Sequence, residues 1–136
     1  MKFRLQIINP YGIYFDKDID FLNVPSSKGL LGILPKHAPL ISDVLLGEIL
    51  VRDNDNEKYF ATSGGLLKVN EDGVILLLDT VESEDLIDID RATNSKKRAM
   101  DRLEKSKLND KVDVARAQAS LSRALNRLKV ASRRNG

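Results

Sequence analysis

"VILLLDTVESEDLIDIDRA" (residues 74–92) contains the point where the chain changes its texture. It opens on a short apolar run after a turn cluster, "NEDG" (70–73), passes through the acidic stretch "ESED" (82–85), and ends in good helix formers. Before the acidic stretch, apolar runs are short and bounded by Gly, Asn, Asp and Pro, the pattern of strands. After it, neither Pro nor Gly interrupts residues 87–106, and helix formers resume at 110–134. Strands therefore come first and helices second, with "ESED" read as a solvated linker. That segregation predicts an α+β chain and not an alternating α/β one.

Toward the amino terminus, "KFRLQI" (2–7) places Phe3, Leu5 and Ile7 on one face at the strand period of two. "IYF", "IDFLNV", "LLGEILV", "KYFAT" and "LLKV" follow, separated by the turn clusters "NPYG", "PSSKG", "RDNDNEK" and "SGG". Runs of this length at roughly ten-residue spacing predict an antiparallel β-sandwich over residues 1–84.

Toward the carboxyl terminus, "KLND" (107–110) reads as a turn between two helices. Asp110 is the expected N-cap of the second, with Asp113 favouring its positive end. Val114, Ala117, Leu121, Ala124, Leu125, Leu128 and Ala131 form its apolar stripe at spacings of three and four; Ala92, Ala99, Met100 and Leu103 form a thinner one on the first. A short connection predicts an antiparallel α-helical hairpin over residues 85–136. Burial is worth about 25 cal/mol per Å² of apolar area, and alanine supplies little of it. The hairpin is thus expected to rest on the sandwich weakly enough for a ligand or partner to move it.

Composition removes several classes of chemistry. With no cysteine and one histidine in 136 residues, disulfides, thiolate zinc sites and histidine metal clusters have no donors. No apolar run approaches the roughly 18 residues of a membrane span, and the amino terminus lacks a signal-peptide pattern. This reads as a soluble protein of a reducing, cytoplasmic compartment, without membrane insertion. The net charge of +2 hides a division: residues 1–84 carry 8 Lys/Arg against 13 Asp/Glu, and residues 85–136 carry 14 against 7. An acidic sandwich and a basic hairpin suggest different partners.

Three sets of residues invite a functional reading. His37 in "LLGILPKHAPLIS" (30–42) has Ser42 and Asp43 nearby in sequence, yet nothing fixes a triad; Pro35 and Pro39 favour a pre-shaped loop. "SGGLLK" (63–68) lacks the phosphate-loop spacing and leads into a strand, so its glycines turn or kink the chain. Asp88, Arg91 and Arg98 share one helix face, while Arg123 and Arg127 share a face of the other. These arginines are either a phosphate-binding set or the wet side of an amphipathic hairpin. The basic hairpin also invites a nucleic-acid reading, but it has no aromatic residue to stack on bases, and acids interrupt it.

"GLLGILPKHAPL" (29–40), "SGGLLKV" (63–69) and "RALNRLKV" (123–130) together resemble the epsilon-subunit family of F-type ATP synthases over nearly the whole chain. The resemblance implies a non-catalytic subunit of the central stalk that needs no cofactor or metal. It implies a sandwich on the rotor, beside gamma and touching the c ring. It also implies a hairpin that lies folded or extends among the alpha and beta subunits to block ATP hydrolysis. By position, Ser27, Lys28, Gly29, Leu30 and Leu31 match the loop facing the c ring, and His37 the surface facing gamma. Some bacterial members bind ATP through I/L-D-x-x-R-A, which "IDIDRA" (87–92) matches. That carries a regulatory nucleotide role over to Glu82, Asp88, Arg91, Arg98, Arg123 and Arg127. The implied location is peripheral, on the cytoplasmic face of a bacterial cell membrane. The alternative is a stand-alone nucleotide-binding regulator.

Overall fold

Alternation along β1 (Phe3–Asn9) sets the inside and outside of the first unit: Leu5 and Ile7 are wholly buried and Phe3 packs on the same core, while Arg4 is exposed. The computed structural model describes residues 1–109 and 111–135. Among the described residues, nine further strands follow: β2 (Gly12–Ile19), β3 (Phe21–Ser26), β4 (Gly29–Ile33), β5 (Leu40–Val44), β6 (Gly47–Asp53), β7 (Asn56–Thr62), β8 (Gly65–Asn70), β9 (Gly73–Leu78) and β10 (Val81–Ser83). They form two five-stranded sheets, ordered β2-β1-β9-β8-β5 and β10-β7-β6-β3-β4. Several strands send alternate side chains inward, among them Leu22 and Val24 of β3, Ile49 and Val51 of β6, and Leu67 and Val69 of β8. Between the sheets, Phe60 meets Phe15 and Tyr14 edge-on at 5.5 and 6.2 Å between ring centroids.

The chain divides into two compact units, Met1–Ser83 and Glu84–Gly136. The fold is the expected β-sandwich followed by a two-helix hairpin, with two differences of detail. One strand pair, β1 with β9, is parallel (Leu5 opposite Val74, Ile7 opposite Leu76) because the two strands lie far apart in sequence and need no tight turn. The "ESED" stretch is not a free linker. Val81 and Ser83 are buried where β10 pairs with β7, the Ser83 N–H donates to Tyr14 Oη at 2.9 Å, and Glu84–Leu86 forms a 3-10 turn. The glycines of "SGG" turn the chain between β7 and β8 as expected, Gly64 at a φ of 121°, and also permit close approach: a Cβ on Gly65 would lie 2.0 Å from the Leu77 carbonyl oxygen, and one on Gly64 would lie 2.7 Å from that of Val44.

In the second unit, α1 (Ile89–Ser106) starts at Asp88, whose carboxylate accepts from the Arg91 N–H. α2 (Val114–Ala131) starts in the same way at Asp113, which accepts from the Arg116 N–H. The expected cap at Asp110 lies outside the described residues; Asp113 takes that role. The apolar stripes also need correction, because Met100, Val114 and Leu125 are 51%, 40% and 45% exposed. The buried set is Ala92, Ala99, Ala117, Ala124, Val130 and Ala131. Alanines recur at steps of seven on both helices, and this small-residue seam decides which face turns in. Met100 and Leu125 each follow a seam alanine by one residue, about 100° around the helix. Among the described residues, no helix is long and apolar enough to cross a membrane.

Candidate functional site

The residues matched to the c-ring loop form the tip of the β3–β4 hairpin. Ser26 pairs with Gly29, so Ser27 and Lys28 make the turn itself. Ser26 Oγ donates to the Gly29 carbonyl at 2.7 Å. Ser27, Lys28 and Gly29 are exposed, and Leu30 is 71% exposed at the start of β4. Leu31 differs, since its side chain packs against the sandwich core. The tip is also tied to the other sheet: Ser27 Oγ–H and N–H donate to Asp43 Oδ1 on β5 at 3.0 and 3.3 Å, and the Leu45 N–H donates to the Pro25 carbonyl at 3.0 Å. These donors, the Ser27 hydroxyl first, hold the Asp43 carboxyl below the usual carboxylate range.

His37 sits at the other end of β4, in the loop joining it to β5. A five-residue strand separates the two sets by about 16 Å, so the structure does not bring them together. The His37 N–H donates to the Leu34 carbonyl at 3.1 Å, and Lys36 has a φ of 66°. With Pro35 at the preceding position this is a type II turn, the rigid shape that the prolines predict. No triad is assembled around the ring: His37 Nδ1 lies 2.7 Å from the Ala38 carbonyl oxygen, while Ser42 Oγ donates to the Asp43 carbonyl at 3.1 Å. His37 is exposed and lines a cavity of about 640 Å³ with Leu34, Pro35, Lys2, Phe3 and residues 69–74.

The residues expected to hold a nucleotide are divided between the two units. Glu82 lies on β10 of the sandwich; Asp88, Arg91, Arg98, Arg123 and Arg127 lie on the hairpin. Asp88 and Arg91 are joined by the cap at 3.0 Å, and Ala92 behind them is fully buried, with its N–H on the Asp88 carbonyl at 3.0 Å. "IDIDRA" is thus the entry of α1, where the motif's aspartate folds the helix as well as offering a carboxylate. Arg91 and Arg98 each precede a seam alanine by one residue, as Arg123 does on α2, while Arg127 follows Ala124 by three. In an antiparallel pair these offsets place all four on one flank of the seam. Arg98 and Arg123 stand at the middle of their helices and Arg91 at the end. Arg91, Arg98 and Arg123 are exposed and Arg127 is half-buried; Arg98 Nη2 donates to Ser95 Oγ at 3.1 Å.

Two residues that shape the candidate surfaces have partners that a reading of the sequence misses. Asp43 finds its partner Ser27 sixteen positions away, and no local pattern marks the pair. Arg134, which bonds backbone carbonyls of residues 84 and 87, carries only the weak signal of a cation just past a helix end. Among the described residues, no group of three or more His, Asp or Glu is placed to hold a metal ion.

A strand-built unit with exposed loops at both ends, followed by a hairpin with one arginine-rich flank, defines a two-part protein of interfaces. The chain belongs to the ATP synthase delta/epsilon chain family: its beta-sandwich domain matches residues 2–84, and its long alpha-helix domain matches residues 85–132. The ATP synthase epsilon chain of Alkalihalophilus pseudofirmus is 39% identical over 104 residues, which are 76% of this chain and 78% of that one. That of Desulforamulus reducens is 40% identical over 100 residues, 74% and 76% of the two chains. A chain in the cryo-EM structure of the Euglena gracilis mitochondrial ATP synthase (OSCP/F1/c-ring) superposes with a TM-score of 0.75 at 17% identity, covering 89% of this chain and 76% of that one. A chain of the Tetrahymena thermophila mitochondrial ATP synthase central stalk and c-ring gives 0.60 at 17%, covering 100% and 98%. These two establish likeness of fold.

Proposed function

We propose that this protein is a non-catalytic central-stalk subunit of a proton-translocating ATP synthase. It couples gamma to the c ring through its sandwich and restrains ATP hydrolysis through its hairpin. The tip at residues 27–30 meets the c ring, and the loop around His37 meets gamma. Their placement at opposite ends of β4 supports two distinct neighbours. The extended hairpin reaches the alpha and beta subunits, and its basic surface suits acidic patches there. The whole sits peripherally on the cytoplasmic face of a bacterial cell membrane.

ATP is the regulatory ligand of the folded hairpin, with Asp88 toward base or ribose and Arg91, Arg98, Arg123 and Arg127 toward the phosphates. The observation that supports this reading is the shared flank: four arginine positions fall on one side of a seam that is mostly alanine, and guanidinium forks match phosphate oxygens. A ligand that binds only the folded hairpin stabilises it by about 2.7 kcal/mol at a hundredfold excess over Kd. ATP titration of the isolated subunit, followed by NMR and by melting, tests this. The expected result is a raised melting temperature with shifts at the arginine flank, both abolished by Arg91→Ala or Arg123→Ala. No shift at millimolar ATP would make the arginines a solvated face.

A further inference from the structure

Ser132–Asn135 follows α2 as a 3-10 turn, and Arg134 within it reaches back to the segment that enters α1. Its Nε donates to the Glu84 carbonyl at 2.8 Å, and its Nη2 donates to the Ile87 carbonyl. One guanidinium therefore spans both ends of residues 84–87. The backbone it grips is the start of the hairpin: Ile87 is buried, and the next residue, Asp88, caps α1. A planar fork on two fixed carbonyls constrains backbone direction in a way that an exposed ion pair does not. Neither the interface loops nor the arginine flank uses this contact. If α1 and α2 separate, Arg134 must leave both carbonyls.

We propose that Arg134 is a positioning residue and a latch. It fastens the end of α2 to the entry of α1, holds the Asp88 cap in place, and must release before the hairpin opens. Its effect on ATP affinity rests on the nucleotide reading above, and its release on the hairpin opening proposed there; the fastening itself rests on neither.

Two amides report the cap directly, because the Arg91 N–H bonds Asp88 Oδ1 and the Ala92 N–H bonds the Asp88 carbonyl. In the full-length subunit, Arg134→Ala is expected to speed hydrogen exchange at both amides by about tenfold, the scale of losing charge-assisted hydrogen bonds. Amides of β1 and β9 should exchange as in the wild type. Arg134→Lys keeps the charge without the fork, so it should fall between the two. Exchange at Arg91 and Ala92 that stays within about twofold of wild type in Arg134→Ala would overturn the latch. Titrating the same samples with ATP separates the two ideas. Wild-type binding that weakens about tenfold in the alanine variant supports positioning, and equal affinities overturn it. If ATP moves nothing even in the wild type, the nucleotide reading fails, and the exchange rates alone decide the latch.

Discussion

At the scale of single residues, the sandwich depends on carboxylates that fasten its turns. Asp43 holds the β3–β4 tip. At the other end, Asp20 accepts from the Asn54 N–H and from Lys2, while Asp53 is bridged by Lys17 and Lys2. All three carboxyls are held below their ordinary range: Asp43 chiefly by the Ser27 hydroxyl, Asp20 by the Asn54 N–H and Asp53 by Lys17. A carboxyl whose folded pKa is depressed contributes stability that is present above the unfolded value, about 3.9, and is lost as pH falls through the folded one. The Ser27 amide resonance should therefore stay fixed from neutral pH down to about 4 and move only below it. In Asp43→Asn the acceptor remains but the titration step should vanish. A step at or above the ordinary aspartate value would show that Ser27 is not bound to the charged form. His37 gives a contrasting expectation. Its turn is closed by a backbone bond to the Leu34 carbonyl, which alanine retains. The His37→Ala subunit, assembled into the synthase, should keep most ATP synthesis; loss of all turnover would mean that the imidazole does chemistry. At this scale the sequence is least informative, because partners such as Ser27 and Asp43, or Arg134 and Glu84, meet only after the chain has folded.

At the scale of elements, the seam between the helices is tight because alanine faces inward at seven-residue steps. Close-packed interiors tolerate added volume poorly, and overpacking costs about 1–3 kcal/mol. Ala124→Leu should therefore lower the hairpin's helical content and speed exchange along α1 and α2, leaving the amides of β6 and β7 as they are. Unchanged exchange in the helices would mean that Ala124 has room beside it despite being 2% exposed. Much of this level was legible. Alternation in "KFRLQI" located β1 and its buried face, and the change of texture after "VILLL" separated strands from helices. What stayed hidden has physical causes. β10 has only three residues, too few to show alternation, and it becomes a strand by pairing with β7. Hydrophobicity alone selects stripes that include large side chains, yet in a tight hairpin small size decides what turns inward. This is how Met100, Val114 and Leu125 came to be exposed while the alanines are covered. Of the candidate site, local spacing pairs Asp88 with Arg91 but as neighbours on one helix face, and only the structure shows the pair as a helix cap; the shared flank likewise appears only once the buried seam is known.

At the scale of the whole molecule, the boundary falls where the charge changes sign, with an acidic sandwich before it and a basic hairpin after it. The sandwich has its own core, drawn from Leu5 through Val81, and its last strand is secured by pairing with β7 and by the Ser83 N–H on Tyr14. A chain ending at Glu84 keeps all of these contacts, so it should fold alone with a cooperative melting transition. Under the proposed division of labour it should also assemble with gamma, and ATP hydrolysis by the complex should rise because the restraining hairpin is gone. A chain ending at Asp79 provides the control. It loses β10, leaves an edge of β7 unpaired and removes the buried Val81 and Ser83, so it should melt markedly lower than the longer fragment. Co-sedimentation with gamma and the hydrolysis rate of the reconstituted complex are the deciding measurements. If the longer fragment is folded but fails to bind gamma, the coupling surface lies on the hairpin. If it binds gamma and hydrolysis stays at the level of the full-length complex, the hairpin does not restrain the enzyme.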